Sequence, residues 1–175
     1  MPNHCFCDLF IEGPQTDITD LCSRLRVDED GYPMLLESLL PMPADLADTR
    51  SPSPLETGLI YDRMLGTTRL LTGEERTHLE GLQGKHGHAD WLSWQLENWG
   101  ARWCDCEASI ECGSNPVRAT FWSPWRPPIS GVAAVAAMYP RLEFVLEYEE
   151  RNMGLYGSLV WSAGELVSEN GRRVA

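Results

Sequence analysis

Lysine is almost missing from this 175-residue chain: of its 14 basic residues, 13 are arginine. Base of either kind is scarce beside 26 Asp and Glu, and the formal net charge is −12. A field of that sign repels phosphate backbones and disfavours nucleic acid as a direct partner. No apolar run approaches the ~18 residues that suggest a membrane-spanning helix. The opening Met1-Pro2-Asn3-His4-Cys5 has no basic region followed by an apolar one, so no secretory signal is expected. The expected compartment is the cytoplasm of a bacterial host. Gly-x-Ser-x-Gly, P-loop, His-Glu-x-x-His and dinucleotide fingerprints are absent, which argues against an enzyme.

The six cysteines (5, 7, 22, 104, 106 and 112) occur as Cys-x-Cys twice, not as the Cys-x-x-Cys of zinc knuckles. For a leaderless cytosolic chain, disulfides are not expected. Cys5 and Cys7 share one strand face, as do Cys104 and Cys106. Those strands should lie two spacings apart, about 9–10 Å, too far for one tetrahedral ion. His86-Gly87-His88 with Asp90 is a weak metal pattern in a loop. No metal and no cofactor is expected.

What the chain has is tryptophan. Four of the seven fall in the thirteen residues from Trp91 to Trp103. They straddle a helix stop at Gly100, followed by a strand entered through Arg102 and Trp103. Cys5 to Ile11 alternates as a first strand. Asp17 looks like the cap of an amphipathic helix carrying Ile18, Leu21, Cys22 and Leu25. Residues 44–70 are the least regular, and Thr72-Gly73-Glu74-Glu75 is a capping box opening a helix to about Leu82. Gly84, Gly87 and the histidines read as a loop, and Asp90 as the cap of the tryptophan helix. Strands at 102–111 and 117–123 flank a Gly113–Pro116 turn, a hairpin signal. A small-residue helix spans Ser130 to Met138, and strands cover Glu143 to Glu150 and Leu155 to Trp161.

The order is β-α-(insertion)-β-β-α-β-β. Without the insertion, that is the split β-α-β plan of an α+β, ferredoxin-like antiparallel sheet with helices on one face. The expected organisation is a single domain over residues 1–175, with a large helical or irregular insertion at 27–90.

Four blocks resemble a known family. They are Met1-Pro2-Asn3-x-Cys5 with Leu9, Ile11 and Gly13; Trp91-x-x-Trp94 with Asn98-Trp99-Gly100-x-Arg102-Trp103; Phe121-Trp122-Ser123-Pro124-Trp125-Arg126-Pro127-Pro128; and Tyr139-Pro140 through Leu146, Tyr148, Glu149 and Gly157. Together they resemble the YubB-type plasmid and phage proteins of ferredoxin-like fold, a domain of unknown function. The resemblance implies that fold and an origin on mobile elements. It brings no catalytic residues, and Cys7 and Cys104 stand where polar residues are usual.

Residues 1–50 hold ten of the acids and three of the bases. The densest acidic surface expected for a partner is Asp17, Asp20, Asp28, Glu29 and Asp30, extended by Asp45 and Asp48. Asp28 to Asp30 are read as an exposed turn of little structural weight. The alternative surface is an aromatic groove of Trp99, Arg102, Trp103, Trp122, Trp125 and Arg126, since Trp and Arg make good anchors. Glu147 and Glu149 share a strand face, a pattern of paired-carboxylate chemistry but far more often of a solvated face.

The leading functional expectation is a non-enzymatic, acidic accessory protein of a phage or plasmid. It would bind and inhibit a basic or nucleic-acid-binding host protein, specifically a nucleic-acid-targeting defence complex, in the manner of a DNA mimic or anti-CRISPR. The alternatives are a small enzyme or metal-binding protein using the Cys and His groups, and a self-associating module using a free sheet edge.

Overall fold

The computed structural model describes residues 3–62, 64 and 66–172. Met1 and Pro2 of the first block lie outside the described residues. In chain order the elements begin with β1 (His4–Glu12), α1 (Gln15–Ser23), β2 (Arg26–Val27), β3 (Pro33–Met34) and α2 (Leu36–Leu39). A 3-10 turn, Ala44–Leu46, precedes β4 (Leu59–Asp62), β5 (Thr67–Leu70), α3 (Gly73–His86) and α4 (Trp91–Asn98). Then follow β6 (Cys106–Ile110), β7 (Val117–Pro124), α5 (Ile129–Met138), β8 (Glu143–Glu150), β9 (Leu155–Ser162) and β10 (Glu165–Arg172). The chain divides into two compact units, Met1–Pro41 with Asn98–Ala175, and Met42–Glu97.

The first unit is built on a six-stranded sheet in the order β10-β9-β8-β1-β7-β6, with every neighbouring pair antiparallel. Its β8-β1-β7-β6 portion, with α1 and α5 as connections, is the ferredoxin-like α+β arrangement. Alternation along the strands decides which face is buried. Cys5, Cys7, Leu9 and Ile11 of β1, Val117, Ala119 and Phe121 of β7, and Phe144, Leu146 and Tyr148 of β8 all point inward. Ile18 and Leu21 of α1 and Val132, Val135 and Ala136 of α5 complete that core. Gly131 lets α5 approach closely, because a Cβ there would sit 3.0 Å from Leu36 Cδ1 and 3.3 Å from Trp99 Cα.

The second unit holds the β4–β5 hairpin and α3. Thr72 caps α3 as the sequence predicts: its hydroxyl accepts from Glu75 N–H at 3.2 Å, while the Glu75 carboxylate accepts from Thr72 N–H at 2.9 Å. The reciprocal bonds satisfy two donors that helix geometry leaves orphaned. Asp90 Oδ1 likewise accepts from the N–H groups of Leu92 and Ser93, each at 3.0 Å.

Several expectations are corrected. Helix α1 starts at Gln15 with Pro14 at its N-cap, so Asp17 lies within the first turn. Helix α3 continues through Gly84 to His86 and stops at Gly87, which adopts a left-handed φ of 76°. The strand expected from Arg102 starts at Cys106, after bends in which Trp103 takes a left-handed φ of 54°. The small-residue helix begins one residue early, and β10 extends the sheet beyond the last strand expected. Cys22 and Cys112 are joined in a disulfide with their Cα atoms 5.9 Å apart, a separation that suits the bond. It ties the end of α1 to the β6–β7 connection, across 90 residues of sequence.

Candidate binding surface

The acids expected to form one face are mostly engaged inside the molecule. Asp17 accepts two bonds from the Arg141 guanidinium, one at 2.9 Å from Nε. Asp20 accepts from the Tyr139 hydroxyl at 2.7 Å, and Arg24 donates to the same hydroxyl at 2.9 Å. Asp28 Oδ1 accepts from the N–H groups of Asp30 and Tyr32, at 3.0 and 2.8 Å. Asp28 is therefore the acceptor that closes its turn, not a free surface charge, because the short carboxylate reaches its own backbone two and four residues on. Glu29 and Asp30 are exposed. Asp45 and Asp48 belong to the second unit. Asp45 bonds Lys85 and His86, which hold its carboxyl down at about 2.

The six residues of the aromatic alternative do not make one groove. Trp99 is buried, and its indole N–H donates to the Leu40 carbonyl at 2.9 Å, so it is a core residue. Trp122 lies on the sheet face opposite the helices and stacks on His4 with ring centroids 4.0 Å apart. Trp103 and Trp125 occupy the bends before β6 and after β7, 44% and 47% exposed. Both take left-handed backbone conformations, φ 54° and 71°, which are strained for bulky side chains. The Arg102 guanidinium lies 3.7 Å above the Trp103 ring. Arg126 is exposed, and its carbonyl accepts from Ser123 Oγ at 2.7 Å.

The sheet face opposite the helices carries a different arrangement. Strand pairing sets its side chains in rows that cross the strands. One row reads Trp122, Phe6, Glu149, Tyr156 across β7, β1, β8 and β9. The next reads Thr120, Asp8, Glu147, Ser158 and, on β10, Asn170. Phe6 and Tyr156, on either side of Glu149, are 56% and 58% exposed. Asp8 and Glu147 stand directly opposite each other, an unfavourable like-charge pairing. Arg118 relieves Asp8, at 2.7 Å, and Arg151 meets Glu149 at 3.1 Å. Glu147 is exposed. Phe6, Asp8, Glu147, Glu149, Arg151 and Tyr156 are among the residues that line a groove of about 610 Å³, in which Asp8 is paired with Arg118 and Glu149 with Arg151.

The Cys and His groups offer little chemistry. Burial pushes the Cys7 and Cys104 thiols well up and the half-buried Cys106 thiol to about 12, leaving them protonated and poorly nucleophilic at neutral pH. His86 bonds Asp45, whereas His88 bonds Glu97 at 3.2 Å, so the two histidines serve different carboxylates. Among the described residues no three His, Cys, Asp or Glu side chains converge as a metal site would require. One buried acid is unusual. Asp105 Oδ2 accepts from the N–H groups of Leu36 and Glu37, the latter at 3.2 Å, at the start of α2. Its Oδ1 is buried without a hydrogen-bond partner, and burial raises its carboxyl to about 7.

Residues 98–171 match a family described as the ferredoxin-like domain in Api92-like protein. A search of curated proteins returns no match. Among solved structures, the chain is similar to the crystal structure of a protein api92 from Yersinia pseudotuberculosis. Identity is 13%, coverage is 100% of this chain and 99% of that one, and the TM-score is 0.43.

Proposed function

We propose that this chain is a non-enzymatic accessory protein of a phage or plasmid that binds and inhibits a basic host protein. The partner belongs to a nucleic-acid-targeting defence complex and loses its grip on nucleic acid when an acidic surface occupies its basic one. Kinship with the YubB-type proteins is part of the proposal, supported by the tryptophan-rich and Trp-Ser-Pro blocks. The observation that supports the function best is the location of the available acid. Glu147 projects from a sheet face with exposed aromatic neighbours, and Glu149 beside it is held by the exposed Arg151, while Asp17, Asp20, Asp28 and Asp45 are committed to internal contacts.

The test is capture from a host lysate on immobilised protein, with bound proteins identified and then challenged with duplex DNA and with salt. A nucleic-acid-binding defence component should be retained at low salt. It should be displaced by DNA and released near 1 M salt, where the Debye length falls to about 3 Å. A specific partner indifferent to both challenges would overturn the proposal. A second reading is favoured by one observation, the strained and exposed backbone at Trp103 and Trp125. On that reading the partner docks on these rings, and Trp125→Ala abolishes a binding that salt leaves intact.

A further inference from the structure

We infer that the groove over β1, β8 and β9 is a seat for an arginine side chain in a basic segment of the partner. The inference deepens the function proposed above, on which it rests for the partner being a host protein. The row Phe6, Glu149, Tyr156 puts one carboxylate between two exposed aromatic rings on the flanking strands. Those strands are two spacings apart, about 9.5 Å. A planar guanidinium entering between the Phe6 and Tyr156 side chains can turn its nitrogens down onto Glu149. Arginine fits this geometry better than lysine, because its flat, weakly hydrated fork both stacks on rings and binds a carboxylate with two nitrogens.

The molecule supplies its own indication of how the seat works. Arg151 holds Glu149 with Nε 3.1 Å from the carboxylate, and its side chain is 79% exposed. A guanidinium therefore fits at this carboxylate, and the exposed internal pair is weak enough to be exchanged. One row further, Glu147 faces Asp8 across the strands, and Arg118 bonds Asp8. A cation arriving at Glu147 relieves a like-charge pairing that the folded chain otherwise carries. The three carboxylates of the lining outnumber the two guanidinium groups paired with them, those of Arg118 and Arg151, a balance that disfavours a nucleic acid. An apolar helix laid there would bury those carboxylates without partners.

The test uses the full-length chain with fluorescent oligo-arginine and oligo-lysine peptides of equal length, read by anisotropy at low salt. Three double variants are compared: Glu147→Gln with Glu149→Gln, Phe6→Ala with Tyr156→Ala, and Glu29→Gln with Asp30→Gln. The third pair removes the same charge elsewhere. The glutamate pair should lose roughly tenfold in affinity for oligo-arginine, as expected for two exposed charge contacts. The aromatic pair should lose more against arginine than against lysine. The control pair should stay within about twofold of wild type, with far-UV circular dichroism confirming the fold of each.

Absence of oligo-arginine binding by wild type, or an equal loss in the control and groove pairs, overturns the seat. Should the aromatic pair fail to fold, the glutamate pair against its control decides. The two proposals fail separately. A defence partner that binds the groove variants as well as wild type removes the seat and leaves the function. Oligo-arginine binding that needs Glu147 and Glu149, with no defence partner found, does the reverse.

Discussion

Helix α1 with its following turn and strand β8 are both rich in acid, yet they use it differently. On α1 the carboxylates of Asp17 and Asp20 are tied to Arg141 and Tyr139, and Asp28 closes a turn. On β8, Glu147 and Glu149 alternate outward onto an open sheet face, where the register places Glu147 against another acid. The first group stabilises the fold. The second keeps Glu147 opposite Asp8, with Arg118 paired to Asp8 and the exposed Arg151 to Glu149. A formal charge of −12 thus overstates what a partner can meet, and the location of the unspent charge matters more than its sum.

The contrast predicts opposite effects on stability. The largest belongs to Asp105, an acid of neither region, which sets the scale for a carboxylate fully committed to the fold. Asp105→Ala strands two backbone donors at the start of α2 and should cost about 2–3 kcal/mol in urea unfolding. Its folded-state value is raised from 3.8 to about 7. Between those limits the folded chain holds a proton that the unfolded chain releases. The proton-linked part of its stability is therefore complete below pH about 4, declines as pH rises, and is gone above about 7. Asp105→Asn should flatten that part of the pH–stability curve.

Next comes Asp28. Converting it to Lys removes the acceptor of two turn bonds, and thermal unfolding should register a loss of about 1–2 kcal/mol. Asp28→Asn keeps an oxygen in place and should stay within about 0.5 kcal/mol. Unchanged stability in Asp28→Lys would return the turn to the class of free surface charge. Asp17→Ala follows at up to about 1 kcal/mol, since its Arg141 partner is largely exposed. The smallest effect carries the sharpest sign. Glu147→Gln should be neutral or stabilising by a few tenths of a kcal/mol, because it deletes one member of a like-charge pair. A clear destabilisation there would place the β8 acids with those of α1 and erase the comparison.

Much of the ferredoxin-like framework is legible in the sequence, because each strand from β1 to β9 that joins the main sheet alternates, and because Thr72 and Asp90 have short-range capping partners. Strand β10 is hidden: Ser168, Glu169 and Asn170 are polar, a bulge separates Leu166 from Ser168, and Gly171 weakens the propensity. The Cys22–Cys112 bond is hidden for another reason, since it joins residues that only the folded sheet brings together. The alternation places Glu147 and Glu149 on one face, but the row joining Phe6, Glu149 and Tyr156 depends on the register of three strands. Register is a long-range outcome that no local pattern encodes. Trp99 shows the converse: beside Arg102 and Trp103 it looks like an anchor, yet a bond to Leu40 holds it in the core.

The most direct test of where a cation lands is the map of backbone amide shifts when oligo-arginine peptide is titrated into the labelled chain. The account predicts perturbations centred on Phe6, Asp8, Glu147, Glu149 and Tyr156, with amides from Asp17 to Asp30 nearly unmoved. Shifts centred on α1 and the Asp28–Asp30 turn, with β8 and β9 silent, would contradict it.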